Sequence, residues 1–256
     1  MTEEIIILCI AAFAAGFIDA IVGGGGLVQT PVVLVTLRQY PLSTLLGTTK
    51  IPSIAGAAVA AFQYSKKVTL NWRLLLIMCS IALVAAYAGS KTVAVVSNAF
   101  MKPVLLVVLI AVAIYTYTKK DFGLAVTSQQ PKKNETAYCI LFALLVGFYD
   151  GFIGPGAGSF MVLFFISVAG FDFLKASAHS KLLNVSTNLG SILYFGGSGH
   201  ILYQYAIPMA LFNLTGSLLG SRLAILKGNR FIRIFFLIVV AGTIIRFGYD
   251  IFFKNV

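Results

Sequence analysis

Charged side chains are scarce in this sequence. They make up 11% of the 256 residues, less than half of the roughly 25% found in soluble domains. Apolar side chains reach 59% and the mean hydropathy is +0.95. Too little polar surface remains to cover a water-soluble fold, which excludes a soluble helical protein with buried core helices. Cysteine is nearly absent. Cys9, Cys79 and Cys139 lie in apolar segments, without the spacing of a metal site or a disulfide framework, and read as small packing or lipid-facing residues. The sequence has no HExxH, no Ser/His/Asp arrangement and no cysteine–histidine cluster. No enzyme chemistry, metal or cofactor is therefore expected. The opening Met1-Thr2-Glu3-Glu4 is acidic and lacks the basic n-region of a secretory signal, so the first apolar stretch is expected to remain as a membrane helix.

What charge there is has one dominant sign, with 19 Lys and Arg against 8 Asp and Glu and a net charge of +11. A basic face interleaved with aromatics would point to nucleic acid, and none is present. The basic residues instead cluster between apolar runs, as they do in the cytoplasmic loops of membrane proteins. Those runs are long enough to cross a hydrocarbon core about 30 Å thick.

The chain repeats itself. At an offset of 131 residues, Gly16-Phe17-Ile18-Asp19 meets Gly147-Phe148-Tyr149-Asp150, Gly23 and Gly25 meet Gly154 and Gly156, and Lys50 meets Lys181. Gly89-Ser90 meets Gly220-Ser221 and Asn98 meets Asn229 at the same offset. Each copy reads as an apolar segment, a glycine cluster, a short apolar stretch and three longer helices. Those helices are expected near 43–64, 72–92 and 99–118, and again near 174–196, 203–225 and 231–253. The expected organisation is a first membrane repeat over 1–118, a cytoplasmic linker over 119–136 and a second, inverted repeat over 137–256. Inversion follows from charge: 64–73, 119–133 and 222–233 hold three, four and four Lys or Arg, whereas 195–204 holds none. Placing the first three inside leaves both termini outside.

The glycine clusters, Gly23, Gly24, Gly25 and Gly26 in one copy and Gly154, Pro155, Gly156 and Gly158 in the other, should break their helices. Each glycine costs about 1 kcal/mol against alanine in a helix, and proline about 3 kcal/mol. Backbone freed inside a membrane must face protein or water, so a broken or re-entrant helix pair is expected in each copy, with the tips meeting near the midplane. New helices starting near Leu27–Thr30 and Ser159–Met161 would aim unpaired amides and a positive dipole end at a small anion. Close helix packing through small residues is the alternative use of such clusters. Asp19 and Asp150 are placed to cap exposed amides, carry a proton or pair with lysine. Lys50 and Lys181 read either as snorkelling cations or as direct electrostatic partners of a ligand. Ser177, Lys181, Asn184 and Asn188 share one helical face. His179 reads as a proton carrier or as a packing residue, and Gln29 and Ser159 as candidate donors beside the breaks.

These motifs, together with Leu46-Gly47-Thr48-Thr49-Lys50, resemble the TauE/SafE sulfite exporter family of membrane permeases over essentially the whole chain. The resemblance implies a multi-pass carrier of the bacterial inner membrane. It implies as substrate a small inorganic or organic sulfur oxyanion, sulfite or an organosulfonate, with export as the usual direction and protons as a candidate coupling ion. By the same resemblance the glycines, the two aspartates and the two lysines are the functional residues. An anion channel of the same architecture and a membrane protein handling sulfur compounds without transport are the alternatives. Internal departures are Thr48 against His179 and Gly24 against Pro155.

Overall fold

The computed structural model describes residues 2–95 and 135–253, and among these every regular element is helical. Eight helices follow in order: α1 Thr2–Val22, α2 Gly25–Thr36, α3 Leu42–Ser65, α4 Trp72–Val95, α5 Glu135–Phe152, α6 Ala157–Ser167, α7 Phe173–Gly197 and α8 Tyr203–Phe253. The expected 99–118 helix lies outside the described residues. So does the 119–136 linker, except for its last two residues, which already belong to α5. The expected boundary between 203–225 and 231–253 appears as a break in α8 at Gly228, where φ 70 and ψ −169 are open only to glycine.

Among the described residues, four stretches are long and apolar enough to cross a membrane: Glu3–Val22, Leu42–Ser65, Trp72–Val93 and Tyr203–Gly228. The 25-residue α7 has the length but not the composition. Its start is set by Asp172, whose side chain accepts from the Lys175 amide at 2.8 Å, an N-cap that satisfies one of the unpaired amides of the first turn. Its polar stripe is turned inward: Ser177, Lys181, Asn184 and Asn188 are all buried.

Lipid offers no hydrophobic drive for helices to associate, so close backbone approach through small residues must hold the bundle. Gly147 and Gly151 of α5 lie against the Ala82 and Ala86 carbonyls of α4, and Gly216 and Gly220 of α8 lie against the Phe13 and Phe17 carbonyls of α1. In both pairs, four residues along one helix match four along the other, so the partners run in the same direction. Gly190 of α7 rests on the Leu83 carbonyl, and Ser186 Oγ donates to the Cys79 carbonyl at 2.6 Å, so α7 also runs with α4.

Within each half the short helix folds back along the helix before it. Gly25 touches Ala15 and Asp19, while Val33 and Leu37 share a buried cluster with Leu8, Ala12, Leu45, Tyr205 and Met209. At the offset of 131, positions corresponding to that cluster, Cys139, Ala143, Ala176 and Met78, lie in another cluster with Phe165 and Phe173.

Glycine is required where α1 turns into α2. Gly23 has φ +82, and a Cβ there would overlap the backbone of Gly158. Gly197, by contrast, has open space around it. Gly23→Ala is expected to destabilise the purified protein by at least about 2 kcal/mol, from backbone strain and overpacking together. Gly197→Ala should be neutral or slightly stabilising. Thermal unfolding of both variants checks the contrast.

Candidate functional site

The two helix breaks meet. A Cβ on Gly158 would strike the Gly23 carbonyl, one on Gly26 would come within 3.1 Å of Pro155 Cα, and Ser159 Oγ donates to the Val22 carbonyl at 3.3 Å. The breaks are shorter than the sequence suggested. α2 begins at Gly25 and α6 at Ala157, each two residues ahead of expectation, so Gly25, Gly26 and Gly158 lie in the first helical turn. Glycine can take helical angles there at some cost in backbone entropy, and only Gly23, Gly154 and Gly156 in these clusters have positive φ.

Beside the junction lies a small polar cavity. It leaves about 40 Å³ for the centres of water-sized spheres, room for a few waters or one small ion. Its walls are Asp19, Gly23, Gly25, Gly26, Gln29 and Thr30 from the first break; Asp150, Ile153, Gly154, Pro155, Gly156 and Gly158 from the second; and Thr49, Lys50, Ser53, Asn184, Asn188 and Asn213 from α3, α7 and α8. The N-cap positions of α2 and α6 are Gly24 and Gly156, and neither has a side chain to cap the helix. Gly26 and Gly158, in the first turns of α2 and α6, therefore line the cavity at the positive ends of two helices. The uncharged polar side chains of the wall are carboxamides and hydroxyls. Asn213 Nδ2 donates to Gln29 Oε1 at 3.1 Å, and Gln29 Nε2 donates to the Thr49 carbonyl at 3.3 Å. Asn188 Nδ2 donates to Asn184 Oδ1 at 3.0 Å.

The four charged residues form two ion pairs that cross between the copies. Lys50 Nζ lies 3.0 Å from Asp150 Oδ1, with both side chains about 5% exposed, and also donates to the Asp150 carbonyl. Thr187 donates its hydroxyl to the other Asp150 oxygen. Lys181 Nζ lies 2.7 Å from Asp19 Oδ2, with the lysine fully buried and the aspartate 21% exposed. Asp19 Oδ1 accepts from the Gly25 amide at 3.3 Å, tying the end of α1 to the start of α2. Both lysines are thus held inside the protein rather than snorkelling to an interface.

Of the residues singled out from sequence, the cavity gathers Asp19, Gly23, Gly25, Gly26, Gln29, Lys50, Asp150, Gly154, Gly156, Gly158 and Asn184. Gly24, Ser159 and Lys181 stand just behind that wall. His179 does not reach it. Its Nδ1 lies 2.7 Å from the Lys175 carbonyl and its Nε2 accepts from the Asn71 amide at 3.1 Å. Thr48, its counterpart in the first copy, does the same two jobs: it donates to the Thr44 carbonyl at 2.6 Å and accepts from the Leu202 amide at 3.0 Å. All three pairs of positions differ by 131, so imidazole and hydroxyl are alternative anchors for one turn. Asn213 and Thr187 were missed. Their counterparts in the first copy are Ala82 and Gly56, so a search for matched pairs passes over them, whereas a search for any polar side chain inside an apolar run finds Asn213.

Broken helices meeting at a polar cavity inside an apolar bundle are the build of a membrane transporter. Known proteins agree, and the chain belongs to the sulfite exporter TauE/SafE family, whose model matches residues 8–247. It is 36% identical over 239 residues to a probable membrane transporter protein, ORF9, of Sinorhizobium sp, covering 93% of this chain and 90% of the relative. It is 34% identical to a probable membrane transporter protein of Haemophilus influenzae over 89% of this chain and 88% of the relative. It is 32% identical to the probable membrane transporter protein YfcA of Escherichia coli over 95% and 89%. No solved structure gives a significant match. The chain is therefore a multi-pass membrane transporter rather than an enzyme.

Removing one member of a buried ion pair strands the other charge, at about 3–5 kcal/mol. Lys50→Met and Asp150→Asn are each expected to lose stability on that scale, and the double variant to recover most of it; thermal unfolding in detergent measures the cycle. His179→Thr should keep the wild-type pH profile of transport in proteoliposomes.

Proposed function

We propose that this transporter is a secondary carrier that exports a small sulfur oxyanion, sulfite or an organosulfonate, and holds it between the paired breaks. The observation carrying this reading is the meeting of two helix starts, each with glycine at its N-cap and only the Gly25 amide taken up by a side chain, at one polar cavity. First-turn amides and a positive dipole end favour an anion, and glycines at Gly23, Gly24, Gly25, Gly26, Gly154, Gly156 and Gly158 let the backbone come close to it. Gln29, Asn184 and Asn213 keep carboxamide N–H groups beyond the bonds they already make, and so add donors without adding charge. Asp19, Asp150, Lys50 and Lys181 sum to zero, and each lysine is already neutralised by a carboxylate. Attraction then falls to dipoles and amides, which suits a single negative charge, as on a sulfonate or hydrogen sulfite, better than a full dianion.

Alternating access follows from inversion, with 1–118 and 137–256 as the repeats. The helix directions support it. α7 returns into α8 through the short turn 198–202, so these two run oppositely. α8 runs with α1, while α7 runs with α4 and α4 with α5. α1 and α5, equivalent by sequence, then point in opposite directions. The unequal surroundings of the ion pairs fit a carrier with its halves in unlike states, since both pairs are closed but only the Asp19 carboxylate is partly exposed. The basic 64–73 loop and Arg222 would face the cytoplasm of a bacterium, with both termini outside. If protons drive export, Asp19 is better placed than Asp150 to carry them.

Purified protein in proteoliposomes should show counterflow of labelled against unlabelled sulfite or a small sulfonate. Asn184→Ala and Asn213→Ala should raise KM roughly tenfold or more, the worth of a hydrogen bond to a charged group. Large unitary currents without counterflow would instead mark an anion channel, and indifference to all sulfur oxyanions would overturn the substrate. An imposed pH gradient that leaves the rate unchanged would remove proton coupling.

A further inference from the structure

A groove of about 540 Å³ lies on the outside of the bundle between the end of α3 and the middle of α8. Its walls are apolar and face outward, with Phe62 62% and Leu226 80% exposed, beside Leu218 and Ile225. Its rim holds three cations, Lys66, Lys67 and Arg222, and no carboxylate among the described residues. None of the three has an ion-pair partner among the described residues. The Lys66 ammonium stands 3.9 Å over the Phe62 ring, at the boundary between the apolar wall and the charged rim.

Two other outward grooves offer a comparison. One lies between α5 and α6 and one between α4 and α5, and neither has a charged lining residue. Such surfaces take any acyl chain. The α3–α8 groove differs by joining an acyl-sized apolar wall to a cluster of positive charge. The repeat sharpens the point. At the offset of 131, Phe62 and Arg222 correspond to Leu193 and Lys91, keeping an apolar residue and a cation, but Lys66 and Lys67 correspond to Gly197 and Ser198. The concentrated charge therefore belongs to one end of the molecule and is not a by-product of the duplicated fold.

We propose that this groove is a seat for an anionic phospholipid, its acyl chain along Phe62 and Leu226 and its phosphodiester among Lys66, Lys67 and Arg222. Basic side chains next to an apolar surface at the membrane boundary favour anionic over zwitterionic headgroups. This seat is separate from the transport cavity and does not depend on which anion is carried.

The test uses the full chain in nanodiscs of equal phosphatidylglycerol and phosphatidylcholine, followed by native mass spectrometry of the lipids retained. Wild type should retain phosphatidylglycerol preferentially, and raising the salt should weaken that preference. The Lys66→Gln, Lys67→Gln, Arg222→Gln variant should lose it, on the order of tenfold to a hundredfold for three cations. Lys66→Arg with Lys67→Arg should keep it, which separates lost charge from lost folding. Equal retention of the two lipids by wild type, or a preference surviving in the triple glutamine variant, would overturn the proposal.

Discussion

A charge inside a membrane protein must find a partner, and here each partner comes from the other half of the chain. Lys50 and Lys181 sit on the long helices that follow the breaks, while Asp19 and Asp150 sit just ahead of the breaks. Because the pairs cross, α3 is fastened to α5 and α7 to α1. The two breaks are then drawn to a common point, where a second constraint takes over: no side chain fits between Gly23 and Gly158. Polar backbone released by the breaks consequently faces a cavity of the protein and not hydrocarbon, the condition under which irregular backbone is tolerated in a bilayer.

The pairs also set the chemistry the cavity can perform. Two unpaired lysines would have made a strongly positive pocket, tight for any anion and slow to release it. Neutralised lysines leave an environment of dipoles, with carboxamides and hydroxyls, which under the proposed reading would hold an anion without trapping it. Transport needs that balance, since a carrier that binds too well does not turn over. Asp19, bonded to the Gly25 amide as well as to Lys181, links the charge network to the start of α2. A change at this carboxylate would be felt at once by the helix end that faces the cavity.

Much of this was legible in the sequence, because a repeat marks equivalent positions whatever the surrounding apolar residues are doing. The glycine breaks, the paired aspartates and lysines and the inward stripe on α7 all followed from residue type and spacing. The crossing of the ion pairs did not, since an offset says which residues are alike and not which ones touch. The helix starts lie two residues ahead of where glycine propensity alone puts them, because Gly25 and Gly26 sit in a first turn that their neighbours hold in place. Asn213 is not marked by the repeat, because its counterpart is Ala82. His179 drew attention through its titratable ring. Its geometry matches Thr48, a residue that cannot titrate in this range, and only contacts reveal that equivalence.

The polar stripe on α7 has a bearing on how the molecule is made. Of the long segments that lie in the bundle, this one carries Lys181, Asn184 and Asn188 on a single face, and it falls short of the apolar character that lets a helix enter lipid unaided. Asp19, the carboxylate that neutralises Lys181, has left the ribosome long before α7 is synthesised. The order of synthesis thus presents α7 with α1, α3 and α4 already made, and its entry into the bilayer becomes an act of assembly against helices already there rather than of partitioning on its own.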